Sequence, residues 1–525
     1  MSAFLDNHLL TLLVALPLVG SLFVLFVPAG ERWLRRWGLA FALATLAVAL
    51  HGYWWFDSTT SGFQYAVEHP WFALPGTEAT VSLALGMDGL SVLLVALSGI
   101  LMPLVLVAAP GGIKTRIREF VFWALMMEAG MMGVFLAQDL VLFYIFWEVS
   151  LIPLYFLIGI WGGENRIYAT VKFVLYTLVG SLLMLVGLIR VALESGTTNI
   201  PELLSRDLSV ELQGFAFVCF ALSFLIKVPV VPFHTWLPDA HVQAPTGGSV
   251  ILAGVMLKMG TYGLMRFGLQ MFPAAAVDWA PVLIVIGVVG ILYGSLLAWA
   301  QRDLKKLVAY SSVAHLGFVV LGIFAFEPTA LQGAVLQGVN HGISTGALFF
   351  LVGVIYDRRH TRQLKDFGGL ATSFPSFAFF LVLATLASVG LPGTNGFVGE
   401  FLILFGSFPG HEWAVAFAAL GVVLGAVYML GMCREVLFGR VRKVNRDLKP
   451  MQIREWVALT PLAALMLWIG LYPGPVLDRT RLVCEAMSAR VQPYLEQTEE
   501  ASLPEDSESS ADTKSNLLNP QGMER

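Results

Sequence analysis

Charged residues are scarce in this chain of 525 residues. Asp, Glu, Lys and Arg together make up 13% of it, and the formal net charge is only -4. Nucleic-acid binding needs a concentrated basic surface, whereas the charges here lie in short loops and in a tail. We therefore expect no nucleic-acid partner.

Motifs that bind metals or cofactors are missing as well. The three cysteines, Cys219, Cys433 and Cys484, are far apart and form no CxxC pair, and the sequence contains no HExxH motif. This excludes the usual zinc, haem-attachment and iron–sulfur patterns. We also find no GxGxxG fingerprint and no Walker-type phosphate loop. The chain is expected to hold neither a metal nor a cofactor.

Apolar residues are abundant instead. Hydrophobic residues make up 57% of the chain, and the mean hydropathy is +0.75. Apolar runs long enough to cross a membrane, about 20 residues each, recur about fourteen times. The first run has no basic leader and no small-residue cleavage site, so we interpret it as a retained helix. The sequence predicts an all-α polytopic membrane protein.

The loops after the odd-numbered runs hold clusters of basic residues, whereas the loops after the even-numbered runs hold almost none. The clustered residues are Arg32, Arg35, Arg36, Lys114, Arg116, Arg118, Arg166, Arg302, Lys305, Lys306, Arg358, Arg359, Arg362, Lys365 and those in the stretch from Arg434 to Arg454. The loop at 55–85, which follows an even-numbered run, has no Lys or Arg. Because Lys and Arg are retained on the cytoplasmic side, we predict that both termini are periplasmic in a bacterial inner membrane.

Two of the runs are interrupted. Pro229 and Pro232 break the seventh, and the segment 390–396 breaks the twelfth. Proline removes a backbone donor, and the freed carbonyl groups must face protein or water. The breaks are five runs apart, an odd number, so helices 4–8 and 9–13 would form two repeats of inverted topology, as in many transporters. An ordinary proline kink is the alternative.

This repeat divides the chain into five parts. We predict N-terminal helices 1–3 at 1–110, a first repeat at 111–270, a second repeat at 271–440 and a C-terminal helix 14 at 441–480. The remaining residues, 481–525, are predicted to be an acidic, disordered tail. Seven acidic residues precede Lys514 in the stretch that starts at Glu496, and such a composition is typical of disorder.

Four ionisable residues lie inside apolar runs: Glu148 in the fifth, Lys227 in the seventh, Lys258 in the eighth and Glu400 in the twelfth. A charge near the centre of a membrane costs about 3 kcal/mol, so such residues usually face a bundle interior or a water-filled path. We predict that they bind and release protons. Static ion pairs that hold helices together are the alternative.

Four histidines fall at similar depths or at the breaks: His234, His241, His315 and His341. Histidine titrates near neutral pH, which suits a proton relay. For each one alone, a hydrogen bond between helices is an equally good interpretation. Their spacing is not that of a metal site on a helix.

Five segments carry a family resemblance. They are FLIKVPVVPFHTWLPDAHVQAPTGGSVILAGVMLK, FWEVSLIPLYFLIGIWG, DLKKLVAYSSVAHLGFV, QGVNHGISTGALFFLVG and LPGTNGFVGEFLILFGSF. Together they resemble the antiporter-like membrane-arm subunits of NADH:quinone oxidoreductase, respiratory complex I. The wider family includes subunits of Mrp-type cation/proton antiporters. The similarity spans roughly residues 1–480, and its motifs are long enough to be specific.

The resemblance implies a proton-translocating subunit. It places Glu148, Lys227, Lys258 and Glu400 on a hydrophilic axis for protons, and it places FMN, iron–sulfur clusters and the quinone site in partner subunits. The implied partners are other complex I membrane subunits, notably L-like and N-like antiporter subunits, together with membrane lipid. A sodium/proton antiporter subunit of the Mrp type is the alternative function, and a passive scaffold is a third possibility.

Overall fold

The computed structural model describes residues 2–75 and 79–502, and nearly all of its regular structure is helical. The helices are α1 (Ser2–Phe26), α2 (Glu31–Trp54), α3 (Ser91–Ala108), α4 (Ile117–Leu136), α5 (Leu140–Trp161), α6 (Arg166–Ser195), α7 (Ile200–Ser205), α8 (Val210–Lys227), α9 (Trp236–Gln243), α10 (Thr246–Ile251), α11 (Leu257–Gly263), α12 (Pro273–Trp299), α13 (Leu304–Phe324), α14 (Pro328–Arg359), α15 (Leu370–Ser373), α16 (Pro375–Val389), α17 (Asn395–Ser407), α18 (Glu412–Leu437), α19 (Ile453–Leu471) and α20 (Gly474–Ser502).

Within the described ranges, 13 helices are long and apolar enough to cross a membrane. One of them, Thr246–Leu269, joins α10 to α11 through a π-helical turn at Leu252–Met256 and continues into a second at Leu264–Leu269. The shorter apolar helices α16 and α17 are separated only by residues 390–394, and we count them together as the fourteenth crossing. The predicted number of about fourteen is confirmed.

Burial separates central from peripheral helices. The span Thr246–Leu269 and α14 are buried along their whole apolar stretch, whereas α2, α18 and α6 expose much of theirs. On α6 the exposed side chains are apolar and follow helical spacing, for example Leu175, Val179, Leu182 and Val186. An apolar stripe on the outside of a helix bundle is what lipid contact requires.

Both predicted breaks are present. α8 ends at Lys227, and a turn over residues 228–235 leads into α9. Two glycines in the break between α16 and α17, Gly390 and Gly393, have φ values of 79° and 89°. Glycine adopts this left-handed conformation without steric cost, so these residues allow the chain to change direction inside the membrane.

The all-α prediction omits one hairpin in the loop at 55–85. Strands β1 (Gln64–Ala73) and β2 (Thr80–Met87) pair antiparallel. Val81, Ala84 and Met87 of β2 are buried against the helices. Apolar residues alternate or cluster in both strands, but at 10 and 8 residues they are too short to register as membrane-crossing runs.

The start of the predicted tail is wrong. Residues 481–502 continue in α20, and only 503–525 lie outside the described residues. Val483, Met487 and Val491 recur at helical spacing and are buried, and α20 packs on α12 and α14. An amphipathic helix of this kind has low mean hydropathy, so a search for long apolar runs overlooks it.

Candidate proton-transfer site

The predicted ionisable residues are inside the helix bundle. Lys227 and Lys258 have no exposed surface, and Glu400 is 5% exposed. Glu148 on α5 is partly buried. Each lies within or at the end of a helix rather than in a surface loop. Groups this deep need partners, so the contacts of each decide what it can do.

Lys258 begins a row of hydrogen-bonding groups. The π-helical turn Leu252–Met256 lies just before Lys258, and the Lys258 amine donates to the carbonyl group of Ala253 within that turn. Its Nζ is also 2.6 Å from Nδ1 of His341 on α14. Turns of this kind inside helices frequently occur at functional sites.

The row continues from His341 to Glu400. The imidazole rings of His341 and His315 are 5.8 Å apart between centroids. Nδ1 of His315 is 2.8 Å from Oε1 of Glu400, and the Gln337 amide donates to the same oxygen at 2.9 Å. Nε2 of His315 is 3.2 Å from Oγ of Ser388. Two imidazole rings therefore lie between a buried amine and a buried carboxyl group.

The second break holds Glu400 in this position. Asn395, the first residue of α17, accepts a hydrogen bond from the Asn340 side chain at its carbonyl oxygen, at 2.6 Å. The Ser344 hydroxyl group donates to the Asn395 side chain at 3.3 Å. Gly399 packs so tightly on Gln337 that a Cβ atom would come within 2.5 Å of its amide oxygen. The break thus anchors α17 to α14 directly beside Glu400.

Glu148 and Lys227 are neighbours without a direct contact. The carboxylate of Glu148 is close enough to interact electrostatically with Lys227. Among the described residues, however, the Lys227 amine and Oε1 of Glu148 make no hydrogen bond. The amine lies 5.2 Å from the centre of the Trp147 ring. The Lys227 cation is therefore stabilised through space by Glu148 and by the face of the Trp147 ring rather than by a formed ion pair.

The first break is closed by an aromatic side chain. Because α8 stops at Lys227, the carbonyl group of Ile226 has no helical partner, and the indole N–H of Trp236 donates to it at 3.0 Å. The freed backbone acceptor is satisfied inside the protein, as the membrane interior demands. Lys227 consequently sits at a fixed helix end, where a cation is favoured.

The remaining two predicted histidines differ in position. The fully buried ring of His241 on α9 stacks on Phe349 of α14 at 4.5 Å, and it interacts electrostatically with Lys258. His234 lies next to Tyr293 and Tyr310. In the described part of the chain, no hydrogen bond joins His234 to the row from Lys258 to Glu400.

The sequence analysis missed one buried carboxyl group and one buried ion pair. Glu128 on α4 is fully buried, and neither of its carboxyl oxygens has a hydrogen-bond partner in the described residues. An acidic residue inside the apolar run at 117–135 was the available signal. Asp88 and Arg266 form a buried ion pair at 2.6 Å. They are 178 residues apart, so the sequence offered no sign of their pairing.

No group of three His, Cys, Asp or Glu side chains that could hold a metal ion occurs in the described ranges. Gln337 and Ser388 hydrogen-bond to the ionisable groups Glu400 and His315. Such an arrangement can carry protons between a buried amine, two imidazole rings and a carboxyl group. The fold and the site together define a class: polytopic helical membrane proteins with a buried line of proton-binding groups.

Comparison with known proteins identifies the family. Residues 137–425 match the model of the NADH:quinone oxidoreductase/Mrp antiporter transmembrane family. The chain is 43% identical over 507 residues to NADH-quinone oxidoreductase subunit M of Rhodobacter capsulatus, with 93% of this chain and 97% of the relative covered. The chain belongs to the NADH:quinone oxidoreductase/Mrp antiporter transmembrane family.

Solved structures agree with this assignment. A chain of respiratory complex I from Thermus thermophilus with bound NADH superposes with a TM-score of 0.84 at 32% identity, covering 92% of this chain and 99% of that one. A chain of the Mrp complex from a Dietzia species superposes with a TM-score of 0.82 at 22% identity, covering 94% and 99%. The second likeness shows a shared fold only.

Proposed function

We propose that this chain is the M-type, proton-translocating membrane-arm subunit of a bacterial NADH:quinone oxidoreductase. The observation that carries the proposal is the buried row in which Lys258, His341, His315 and Glu400 follow one another across the bundle. The identity to M subunits over most of the chain supports the same assignment.

In this function Lys258 and Glu400 are the two proton-binding stations. The amine of Lys258 passes a proton to His341, which its Nζ already contacts. His315 receives the proton and delivers it to the Glu400 carboxylate. The Gln337 and Ser388 side chains position Glu400 and His315 for this transfer. Each step moves only a proton, so no redox centre is needed in this chain.

Glu148 and Lys227 are proposed to couple the row to a neighbouring subunit. Because no hydrogen bond locks them together, a charge that appears nearby can change their interaction without breaking a formed contact. Coupled ionisable groups of this kind titrate as a pair. A shift in the Lys227 charge would then alter the field felt by Lys258 and release its proton into the row.

The work for translocation comes from outside this chain. Moving one elementary charge across a membrane costs about 2.3 kcal/mol per 100 mV. We propose that NADH oxidation and quinone reduction in partner subunits, which would hold FMN and iron–sulfur clusters, supply it. L-like and N-like antiporter subunits are the proposed neighbours in the inner membrane.

We also propose that the two broken helices belong to inverted repeats at 111–270 and 271–440. Helices 1–3 at 1–110 and the last helix at 441–480 would flank them. The support is that the breaks at 228–235 and 390–394 lie next to Lys227 and Glu400, at corresponding places in the two units. Many transporters place their binding path at such paired breaks.

Glu400→Gln tests the function. The amide keeps the size of the side chain and can still accept the hydrogen bonds from His315 and Gln337, but it cannot bind and release a proton. Assembly should therefore be unchanged, while NADH-driven proton uptake into vesicles that contain the purified complex should fall by about tenfold or more. Glu400→Lys, which can still cycle a proton, should recover part of the uptake.

Glu412→Gln is the matched control, because that carboxylate is exposed at the start of α18. Normal uptake in Glu400→Gln would remove this residue from the path. The Mrp-type alternative predicts sodium/proton exchange in the absence of NADH, which the same vesicles measure.

A further inference from the structure

The proposed row of proton-binding groups begins at Lys258, deep in the bundle. A path from Lys258 to the protein surface can be followed on one side of the molecule. The protein face that carries the basic loops contains an open cleft of about 900 Å³. Its lining comes from three loops after membrane helices and from α9, and it includes Asp239, Arg302, Asp303 and Lys306. This polar cleft brings solvent between the helices.

A smaller cavity of about 230 Å³ adjoins the cleft. Gln243, Tyr356 and Arg362 line both, so the two spaces meet at these residues. The smaller cavity is lined by Lys305, which does not line the open cleft. Lys305 is only 6% exposed. Its side chain therefore forms part of the inner end of the space that leads in from the surface.

The surroundings of Lys305 leave its amine without an acidic partner in contact. Its Nζ donates to the carbonyl group of Ala244 at 2.6 Å. Asp303, the nearest acidic residue along the chain, is instead 3.3 Å from Arg362. Neighbouring Lys306 lines the open cleft. The Lys305 amine is thus buried and points away from the surface, whereas the adjacent Lys306 faces the open cleft.

His241 connects this amine to the row. It lies three residues before Ala244 on α9, and both ring nitrogens lack a hydrogen-bond partner among the described residues. Its ring interacts electrostatically with Lys305, with Lys258 and with His341. A fully buried imidazole with two free nitrogens, within electrostatic range of two buried amines, is suited to receive a proton from one and donate it to the other.

We propose that Lys305 takes protons from the inner cavity and passes them through His241 to Lys258. This inference rests on the proposed function, and it makes the face with the basic loops the side of proton uptake. A water molecule or hydronium ion in the cavity gives a proton to the neutral amine, which gives it to a ring nitrogen of His241. No bond other than those to the proton is made or broken.

A structural role is the competing explanation for Lys305. Ala244 directly follows the last residue of α9, and a cation at the carboxyl end of a helix stabilises it. Lys305→Arg separates the two roles. Arginine keeps the positive charge and can donate to the Ala244 carbonyl group, but it does not release its proton in proteins. A structural role is therefore preserved in this variant, whereas proton delivery is lost.

The experiment uses the whole complex in vesicles, with NADH-driven proton uptake per NADH oxidised as the measurement. Lys305→Arg should assemble normally and lower proton uptake by about tenfold or more. Lys306→Arg is the matched control and should behave as wild type. If Lys305→Arg fails to assemble, Lys305→Gln, which also retains a donor for the Ala244 carbonyl group, takes its place with the same expectation.

The pH dependence gives a second readout. Without Lys305, protons must reach His241 directly from solvent, so the deficit should shrink as the pH on the uptake face is lowered. A structural defect would not respond in this way. Other charged and titratable groups also surround Lys305. They are Asp303, Arg362, Tyr356, Asp357, His241 and Lys258. Both variants retain all of them, so the comparison with Lys306→Arg accounts for their titration.

Glu400→Gln distinguishes a failure of the role of Lys305 from a failure of the proposed function. Normal uptake in Lys305→Arg together with impaired uptake in Glu400→Gln would overturn the role of Lys305 and leave the proposed function intact. Normal uptake in both would overturn both. An equal loss in Lys305→Arg and Lys306→Arg would show that the larger arginine side chain disturbs this region at either position, and would also contradict the inference.

Discussion

The buried ionisable residues of this bundle fall into two sets, those with a close polar partner and those with polar atoms that have none. Lys258, His315 and Glu400 have close polar partners, as a transfer row requires. Glu148, Lys227 and Glu128 have buried polar atoms with no hydrogen-bond partner in the described chain. A buried polar group left without a partner costs stability. Such residues persist where function outweighs that cost.

The sequence predicted which residues are ionisable and buried, but not how they pair. Lys258 and His341 are 83 residues apart, and His315 and Glu400 are 85 apart. Only the packing of α13, α17 and the span Thr246–Leu269 around α14 brings them together. Likewise, no sequence pattern shows that Glu148 and Lys227 are neighbours without a hydrogen bond between them.

Glu128→Met tests whether the isolated carboxyl group is a cost to the fold. Methionine fills a similar volume and has no polar atom to leave without a partner, so the membrane arm should be more stable by about 1–3 kcal/mol. Thermal unfolding of the purified complex measures the change. A lower unfolding temperature would mean that Glu128 makes a stabilising contact in the complex.

Glu148→Ala tests the electrostatic pairing. The substitution removes the only carboxylate that interacts with Lys227 among the described residues, so the coupling of this lysine to its surroundings is lost. NADH-driven proton uptake should fall severalfold, and Glu148→Asp should retain part of it. The control is Glu211→Ala, because that glutamate is 88% exposed. Normal uptake in Glu148→Ala would limit the residue to a structural role.

At the scale of helices and strands, composition predicted the breaks better than the boundaries. Pro229 and Pro232 and the glycines of 390–396 interrupt the seventh and twelfth runs because neither residue type favours a continuous helix. The π-helical turns at Leu252–Met256 and Leu264–Leu269 left no mark in the sequence. The first of them contains Ala253, whose carbonyl group accepts from the Lys258 amine.

One buried pair joins elements that are distant in the chain. Asp88 accepts from the backbone N–H groups of Leu90 and Ser91 at the start of α3. Its other oxygen accepts from Arg266 at 2.6 Å, within the second π-helical turn. Arg266 also contacts the Tyr262 hydroxyl group at 3.3 Å. This network fixes the end of the span that carries Lys258 against the start of α3.

Arg266→Met should therefore weaken the fold strongly. The substitution leaves the Asp88 carboxylate buried without its cation, which costs about 3–5 kcal/mol. The double variant Asp88→Asn with Arg266→Met removes the uncompensated charge and should be less destabilised than Arg266→Met alone. Thermal unfolding of the two purified complexes compares them. Equal stability would show that the unpaired Asp88 carboxylate is not what destabilises the Arg266→Met variant.

At the scale of the whole molecule, the basic loops meet on one face. The side chain of Arg35 donates to the carbonyl group of Ile113 at 2.7 Å, and the Trp161 indole donates to Thr115 at 2.9 Å. Arg358 bonds to Lys449 and Pro450 in the same way. Loops that were assigned to one side from their charge alone thus contact one another, which agrees with the alternation of basic and non-basic loops along the chain.

The opposite face is assembled from the loops without basic clusters and from α20. Arg479 of α20 donates to the carbonyl group of Tyr53 at 3.1 Å, and Arg490 donates to Arg206 at 2.8 Å. The hairpin of β1 and β2 joins this side through a bridge between Leu85 and Ala137. The low hydropathy of α20 and the shortness of the two strands hid both elements from the sequence analysis.

Cysteine labelling of intact cells tests the orientation of these two faces. Thr60 is exposed beside the hairpin and is the labelling site on that face. On the basic face, the Thr361 hydroxyl group is bonded to Asp366. The exposed Lys365 is therefore the better labelling site there. The native cysteines Cys219, Cys433 and Cys484 are all buried and should give little background. Because basic loops stay in the cytoplasm, an impermeant reagent should label Thr60→Cys in intact cells and Lys365→Cys only after the membrane is opened. Labelling of Lys365→Cys in intact cells would invert the orientation, and with it the side from which Lys305 takes its protons.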